Sequence, residues 1–248
     1  MLLRRITEHV KAQNWFAVGL DFLIVVVGVF VGLQVSNWNE SRADKAEYIK
    51  ALDRMDTEVN ENFVVIDSID SDIQQSLRVV RQAVDALQSC TDSEENQQSI
   101  NAGLEEIRGT YGIHLRRHAL DELISNPRLL SLQTDTERKR FKDMAFYFDL
   151  ILVNAVFGED HPLEDRFQNN PIVGIGGLVD HSGAYYDVDF SQPKRQIFLN
   201  VSVNEACRND QLIKSFYTWE SWQNNVPIYS RQIRNELDAT KALLVARK

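Results

Sequence analysis

From Phe22 to Val35 the only polar side chain is Gln34, and Asp21 is the only charge between Trp15 and Trp38. At 1.5 Å rise per residue, a helix over this stretch sets the two indoles roughly 35 Å apart, the depth of a bilayer core with its interfacial belts. The pattern predicts one transmembrane helix over 15–38. The apolar run is longer than the core of a signal peptide, and Ser36-Asn37-Trp38-Asn39-Glu40 offers no small-x-small cleavage site, so the expectation is an uncleaved anchor. Ahead of it, residues 1–14 set Leu2, Leu3, Ile6 and Val10 on one side and Arg4, Arg5, Glu8 and Lys11 mostly on the other, the layout of a short interfacial helix.

Past Trp38 the chain turns polar and holds no Gly or Pro until Gly103. Leu52, Val59, Ile66, Ile73, Val80 and Leu87 recur every seven residues, and Phe63, Leu77 and Val84 fill the position four later. This predicts a helix over about 40–88, roughly 70 Å long. Asp56 and Asp70 interrupt the companion column, which favours a bundle helix over a free two-stranded coiled coil. A polar loop is expected over 89–97, then a short helix carrying Ile100, Leu104 and Ile107. A further helix from about His114 stops at Asn126-Pro127. Thr134 and Glu137 have capping-box spacing and open a helix whose apolar face includes Phe141, Met144, Phe148 and Ile151, expected to end by Gly158.

Residues 159–207 change character. Pro162, Pro171 and Pro193 fall there, with Gly174, Gly176 and Gly177. Tyr185–Phe190 and Gln196–Val203 read as the strands of a small hairpin turned at Ser191–Arg195. From Asp210 the seven-residue pattern returns with Leu212, Trp219, Val226 and Ile233, joined by Phe216, Leu237 and Leu244, and Pro227 should kink or divide that helix. Pairing the first and last long segments antiparallel brings the C-terminus back toward the membrane. The expected fold is therefore mainly α: an N-terminal transmembrane helix, then an elongated antiparallel helical bundle over 39–248 with a small β-hairpin insertion at 159–207. This pairing also brings Cys90, just past the first long helix, close to Cys207, just before the last. A disulfide at the distal end is the expectation in an oxidising periplasm, the alternative being two unpaired thiols.

Composition adds the partners. The chain has 248 residues, 44% hydrophobic and 25% charged, with formal net charge −9. Residues 1–14 contribute +2, so the remainder carries −11, a poor match for nucleic acid or an anionic lipid surface. Arg4, Arg5 and Lys11 before the span outnumber Arg42 and Lys45 soon after it, which favours a cytoplasmic N-terminus and an exported body. At 100° per residue Asp21 shares a face with Gly28 and Gly32, and Gly28-Val-Phe-Val-Gly32 is a GxxxG pattern that lets helices approach closely. The lipid bilayer is one expected partner. A second copy or another membrane protein, met through the Gly28/Gly32 face, is the other. Asp21 either reaches water near the inner interface or sits at that helix interface as a proton or partner site.

No residue set points to catalysis. His114 and His118 are one turn apart if helical, but no third ligand is evident. Asp160-His161 and Asp180-His181 are loop pairs, Gly174-Ile-Gly176-Gly177 lacks the Lys-Ser/Thr of a phosphate loop and reads as a flexible loop, and Ser182-Gly183 is no nucleophile elbow. The expectation is no catalytic residue, no metal, no cofactor and no enzyme.

Two resemblances sharpen this. The run Asp21-Phe-Leu-Ile-Val-Val-Val-Gly28 is similar to the single-span subunits of flagellar-stator and outer-membrane energising complexes, which carry one early Asp used for proton flow. The opening through Glu40, with its exit Gln34-Val-Ser-Asn-Trp38-Asn39, together with Ala119–Phe141 and its Asp121-Glu-Leu-Ile-Ser-Asn, resembles a family of functionally uncharacterised bacterial membrane-anchored proteins. That resemblance implies a bacterial inner-membrane location and a helical periplasmic domain, and no activity. The functional expectation is a membrane-anchored interaction or sensing module, the alternative a coupling subunit of a proton-conducting complex using Asp21.

Overall fold

The computed structural model describes residues 15–164, 169–185 and 188–247. The interfacial segment expected over 1–14 lies outside them. One helix, α1, runs without interruption from Trp15 to Ser89, so the span and the first bundle helix are a single rod of 75 residues. With no Gly or Pro between Leu33 and Ala102, nothing in the sequence interrupts it. It stops where Cys90 turns into the left-handed region at φ 49°, a conformation that ends helices.

The chain then descends along α1. Helix α2 (Glu94–Glu106) is capped by Ser93, whose hydroxyl accepts from the Asn96 amide. Residues 110–117 are not helical, and α3 begins only at His118 and ends at Ser125. His114 and His118 are therefore not neighbours on one helix turn. Asn126 caps α4 (Pro127–Leu132), with Pro127 in its first turn.

Helix α5 (Asp135–Glu164) climbs back. Its expected capping box forms: Thr134 N–H donates to Glu137 Oε2 at 2.7 Å, and Glu137 N–H to Thr134 Oγ1 at 3.2 Å. The helix does not end by Gly158. Pro162 has no N–H, so the Gly158 carbonyl loses its partner four residues on; Gln223 Nε2 donates to it instead at 2.9 Å, and the helix continues. Asp160 and His161 consequently lie in helix rather than loop.

The insertion is a two-stranded antiparallel sheet of β1 (Val173–Tyr185) and β2 (Val188–Leu199). The turn falls between Tyr185 and Val188, not at Ser191–Arg195; Pro193 pairs with Asp180 inside the sheet. Pro is tolerated there because alternate N–H groups of β2, such as Ile197 and Leu199, face away from β1, and Pro193 occupies the same row. The Gly174–Gly177 cluster and Asp180-His181 are strand, not loop, and the register slips between Ile175 and Leu178 at the paired glycines. Gly174 is needed because the Phe198 ring lies across it: a Cβ there would come within 2.7 Å of Phe198 Cζ.

After the short α6 (Val203–Ala206), helices α7 (Asp210–Gln223) and α8 (Val226–Val245) return antiparallel to α1, divided at Asn224-Asn225 with Pro227 in the first turn of α8. Arg81–Glu220, Arg234–Asp67 and Lys241–Asp56 pair the two directions rung by rung. At the base the Arg247 guanidinium sits 4.6 Å from the Tyr48 ring, and Arg247 pairs with Glu137. At the far end Cys90 and Cys207 form a disulfide, with Cα atoms 5.4 Å apart. The body is mainly helical and elongated, and α1 forms one side of it.

The core follows the seven-residue column: Leu52, Val59, Ile66, Ile73, Val80 and Leu87 are all buried. Its companion matches in part: Leu77 is buried, but Phe63 and Val84 are only half-buried, while Met55, Asn62, Ser76 and Ala83, three residues after the main column, are buried. On the far side Phe141, Met144, Phe148 and Ile151 of α5 and Phe216, Trp219, Ile233 and Leu237 of α7 and α8 complete the core.

Candidate functional site

The first candidate is the lower third of α1. Among the described residues it is the one helix long and apolar enough to cross a membrane, with an 18-residue window of mean hydropathy 2.4, none of it buried. Phe22, Ile24, Val29, Phe30 and Leu33 are each more than half exposed. In water such a surface is costly, roughly 25 cal/mol per Å², so hydrocarbon is the solvent it suits. A Cβ built at Gly28 or Gly32 meets nothing within 4 Å, so among the described residues nothing covers these glycines on the face they share with Asp21.

The second candidate is a cleft of about 840 Å³ between the hairpin and the end of α2, open to solvent and lined by Glu105, Glu106, Arg108, Tyr111, His181 and Lys194 among others. It is built by α2 docking along the outer edge of β2. Glu105 Oε1 accepts from the Ile197 amide at 2.8 Å and Asn101 Oδ1 from the Leu199 amide at 2.7 Å. Arg108 Nη1 donates to the Arg195 carbonyl at 2.7 Å. Lys194 and Arg108 both pair with Glu105, at 3.1 and 2.9 Å. Burial pushes the Glu105 carboxyl up, but the Ile197 amide and the two cations outweigh it and hold the group below its ordinary range. Beside it, Ser76 donates to Glu106 at 2.5 Å and lies 2.9 Å from the Tyr111 hydroxyl. Burial raises the Tyr111 phenol, and Glu106 and Asp72 add to that. With its cations committed to Glu105 and the Arg195 carbonyl, this cleft is a polar joint between hairpin and bundle.

Other buried polar groups that local sequence did not reveal are braces across the bundle. Glu58 on α1 accepts from the Ala119 and Leu120 amides at 2.8 and 3.1 Å, capping α3, whose own N-cap residue Arg117 makes no side-chain cap. Asn62 clamps Arg116 through both its amide groups. Gln223 joins the Tyr111 amide to the Gly158 carbonyl, and Trp219 Nε1 donates to the Gly109 carbonyl at 2.6 Å. Polar residues in a seven-residue column are the available signal, but their partners lie more than 50 residues away. Among the described residues no group of three or more His, Cys, Asp or Glu could hold a metal ion.

The sites expected from sequence thus fall apart in space. Asp21, Gly28 and Gly32 share one face in the apolar stretch, and Cys90 and Cys207 are bonded at the opposite end of the body.

Comparison with known proteins adds one result. Residues 21–152, more than half of the chain, match the family of unknown function DUF6090. The chain belongs to that family. No curated protein and no solved structure matches it.

Proposed function

We propose that this member of the DUF6090 family is a single-span protein of a bacterial inner membrane, with its N-terminus in the cytoplasm and its helical body in the periplasm. The body serves as an interaction or sensing module without catalytic activity. The observation that carries this reading is the unbroken α1: an uncovered apolar third continues, in register, into the central column of a folded acidic body. The Cys90–Cys207 bond fits an oxidising compartment. The surplus of Arg and Lys ahead of the span supports the orientation.

Asp21 favours a second reading. It lies on the same face as Gly28 and Gly32, where a carboxyl at a helix interface could serve proton coupling. Replacement by Asn separates the two. A coupling subunit loses its function in the cell while membrane level and oligomeric state persist, whereas an interaction module is unaffected by Asp21→Asn. The location itself is tested by alkaline extraction of membranes and by protease added to spheroplasts. Digestion of the body from outside is expected, and its protection in intact spheroplasts would reverse the orientation.

A further inference from the structure

The underside of the folded body lies close to the apolar third of α1. Tyr48 is the first buried residue along the helix, ten residues past Trp38, or about 15 Å of rise. Arg128, in the first turn of α4, reaches lower still and meets Asp44 at 4.0 Å, at a level about 9 Å past Trp38. The start of α5 sits just above, where Glu137 pairs with Arg247 beside the Tyr48 ring. Because α1 forms one side of the body, α4 and this end of α5 overhang to one side of it. No break separates Trp38 from Tyr48, so helix rise alone sets the height of that overhang.

The lowest layer differs in charge from the acidic body as a whole. Arg42, Lys45 and Arg128 stand there against Glu40 and Asp44. The Arg128 side chain is 80% exposed even with Asp44 beside it. Arg42 lies 5.9 Å from the centre of the Trp38 ring, which holds its charge at the level of that indole. By 100° steps Lys45 falls within about 60° of Tyr48, on the side of α1 that faces the body, so it borders the space beneath the overhang. One layer higher the acids have cations of their own: Asp135 with Arg138 at 4.0 Å, and Glu137 with Arg247.

We infer that this underside is a lipid-contacting face, on which Arg42, Lys45 and Arg128 hold the phosphates of phospholipid headgroups. The inference rests on the membrane reading above, with Trp38 in the interfacial belt. Headgroups then fill about 5–8 Å beyond the hydrocarbon, and the overhang begins where they end. Less than about 10 Å of height remains, too little for a helix of another protein, which is about 10–12 Å across. Arginine matches a phosphate with two parallel N–H bonds and lysine with a point charge, and both have long stems that reach downward. The contact steadies the body on the bilayer at a second point beside α1.

The test uses the full chain in vesicles of phosphatidylethanolamine and phosphatidylglycerol, a fraction of the lipid bearing a nitroxide on its headgroup. Since the chain's two cysteines are bonded to each other, Ser131→Cys supplies one free thiol for a fluorophore, one turn beyond Arg128. The nitroxide should quench that probe strongly. The same probe at Gln98→Cys, on α2 near the disulfide, should keep its fluorescence. Adding Arg128→Glu and Lys45→Glu should reduce the quenching at position 131 about threefold or more, because the phosphates then meet carboxylates. A probe at 131 quenched no more than one at 98 overturns the inference. So does quenching that is indifferent to the two charge reversals. Retention of the protein in the vesicles after an alkaline wash tests the anchor separately, so a failed anchor and a failed lipid face are told apart.

Discussion

The two halves of α1 are equally helical and both rich in Val, Ile and Leu, yet they use those residues in opposite ways. Between Tyr48 and Leu87 the apolar side chains follow a seven-residue period and are almost all covered by α2, α3, α7 and α8. Between Trp15 and Trp38 they surround the whole helix, and among the described residues none of that apolar window is buried. A helix that is apolar on one side needs protein neighbours, and one that is apolar all round needs an apolar medium. The same rod thus carries both patterns without changing its backbone, and only the angular distribution of side chains records the border.

The comparison breaks most sharply at single side chains. Ile66→Ala should lower the unfolding free energy of the full chain in detergent by about 3 kcal/mol, because it opens a cavity among fully buried neighbours. Val27→Ala, removing similar carbon from the span, should change it by less than about 0.5 kcal/mol, since no packed contact is lost. Equal effects at the two sites would erase the distinction. A smaller effect probes the polar braces, which the span lacks. Gln223→Ala leaves the Tyr111 amide and the Gly158 carbonyl without their partner and should cost about 2 kcal/mol in the same melt. The smallest concerns pH. Glu105 is depressed in the folded state, so its support of the hairpin is complete above its ordinary value of 4.5 and is lost as pH falls through the folded one. Hydrogen exchange at the Ile197 amide should accelerate as pH falls below that window, relative to the span amides, and Glu105→Gln should remove the acceleration.

Much of the bundle was legible because apolar residues recur at fixed spacing. The main column of α1, the apolar face of α5, the Thr134 capping box, the break near Pro227 and the Cys90–Cys207 bond all follow from spacing and local chemistry. Of the expected companion column only Leu77 is fully buried, because the covered positions beside the main column include Asn62 and Ser76, which an apolar count passes over; they are buried because Arg116, Glu106 and Tyr111 meet them from distant segments. The hairpin turn was misplaced because Pro193 reads as a turn residue, while an edge row can accommodate it. The glycines of β1 looked like a loop because the ring that requires Gly174 belongs to Phe198, 24 residues on. Helix α5 outran Gly158 because its repair comes from Gln223. For the candidate sites the division is the same: Asp21, Gly28 and Gly32 could be read as one face, whereas the cleft under the hairpin is assembled by tertiary contacts alone.

The absence of any flexible joint in α1 between Trp38 and Ser89 makes the helix a lever. Over the roughly 75 Å from Trp38 to the disulfide, a 10° change in tilt swings the far tip sideways by about 13 Å. Whatever reorients the apolar third, such as a neighbour meeting its glycine face, is thereby delivered as a displacement larger than a helix diameter at the opposite end. The same geometry works in reverse: a displacement imposed at the tip returns as a tilt of the apolar third.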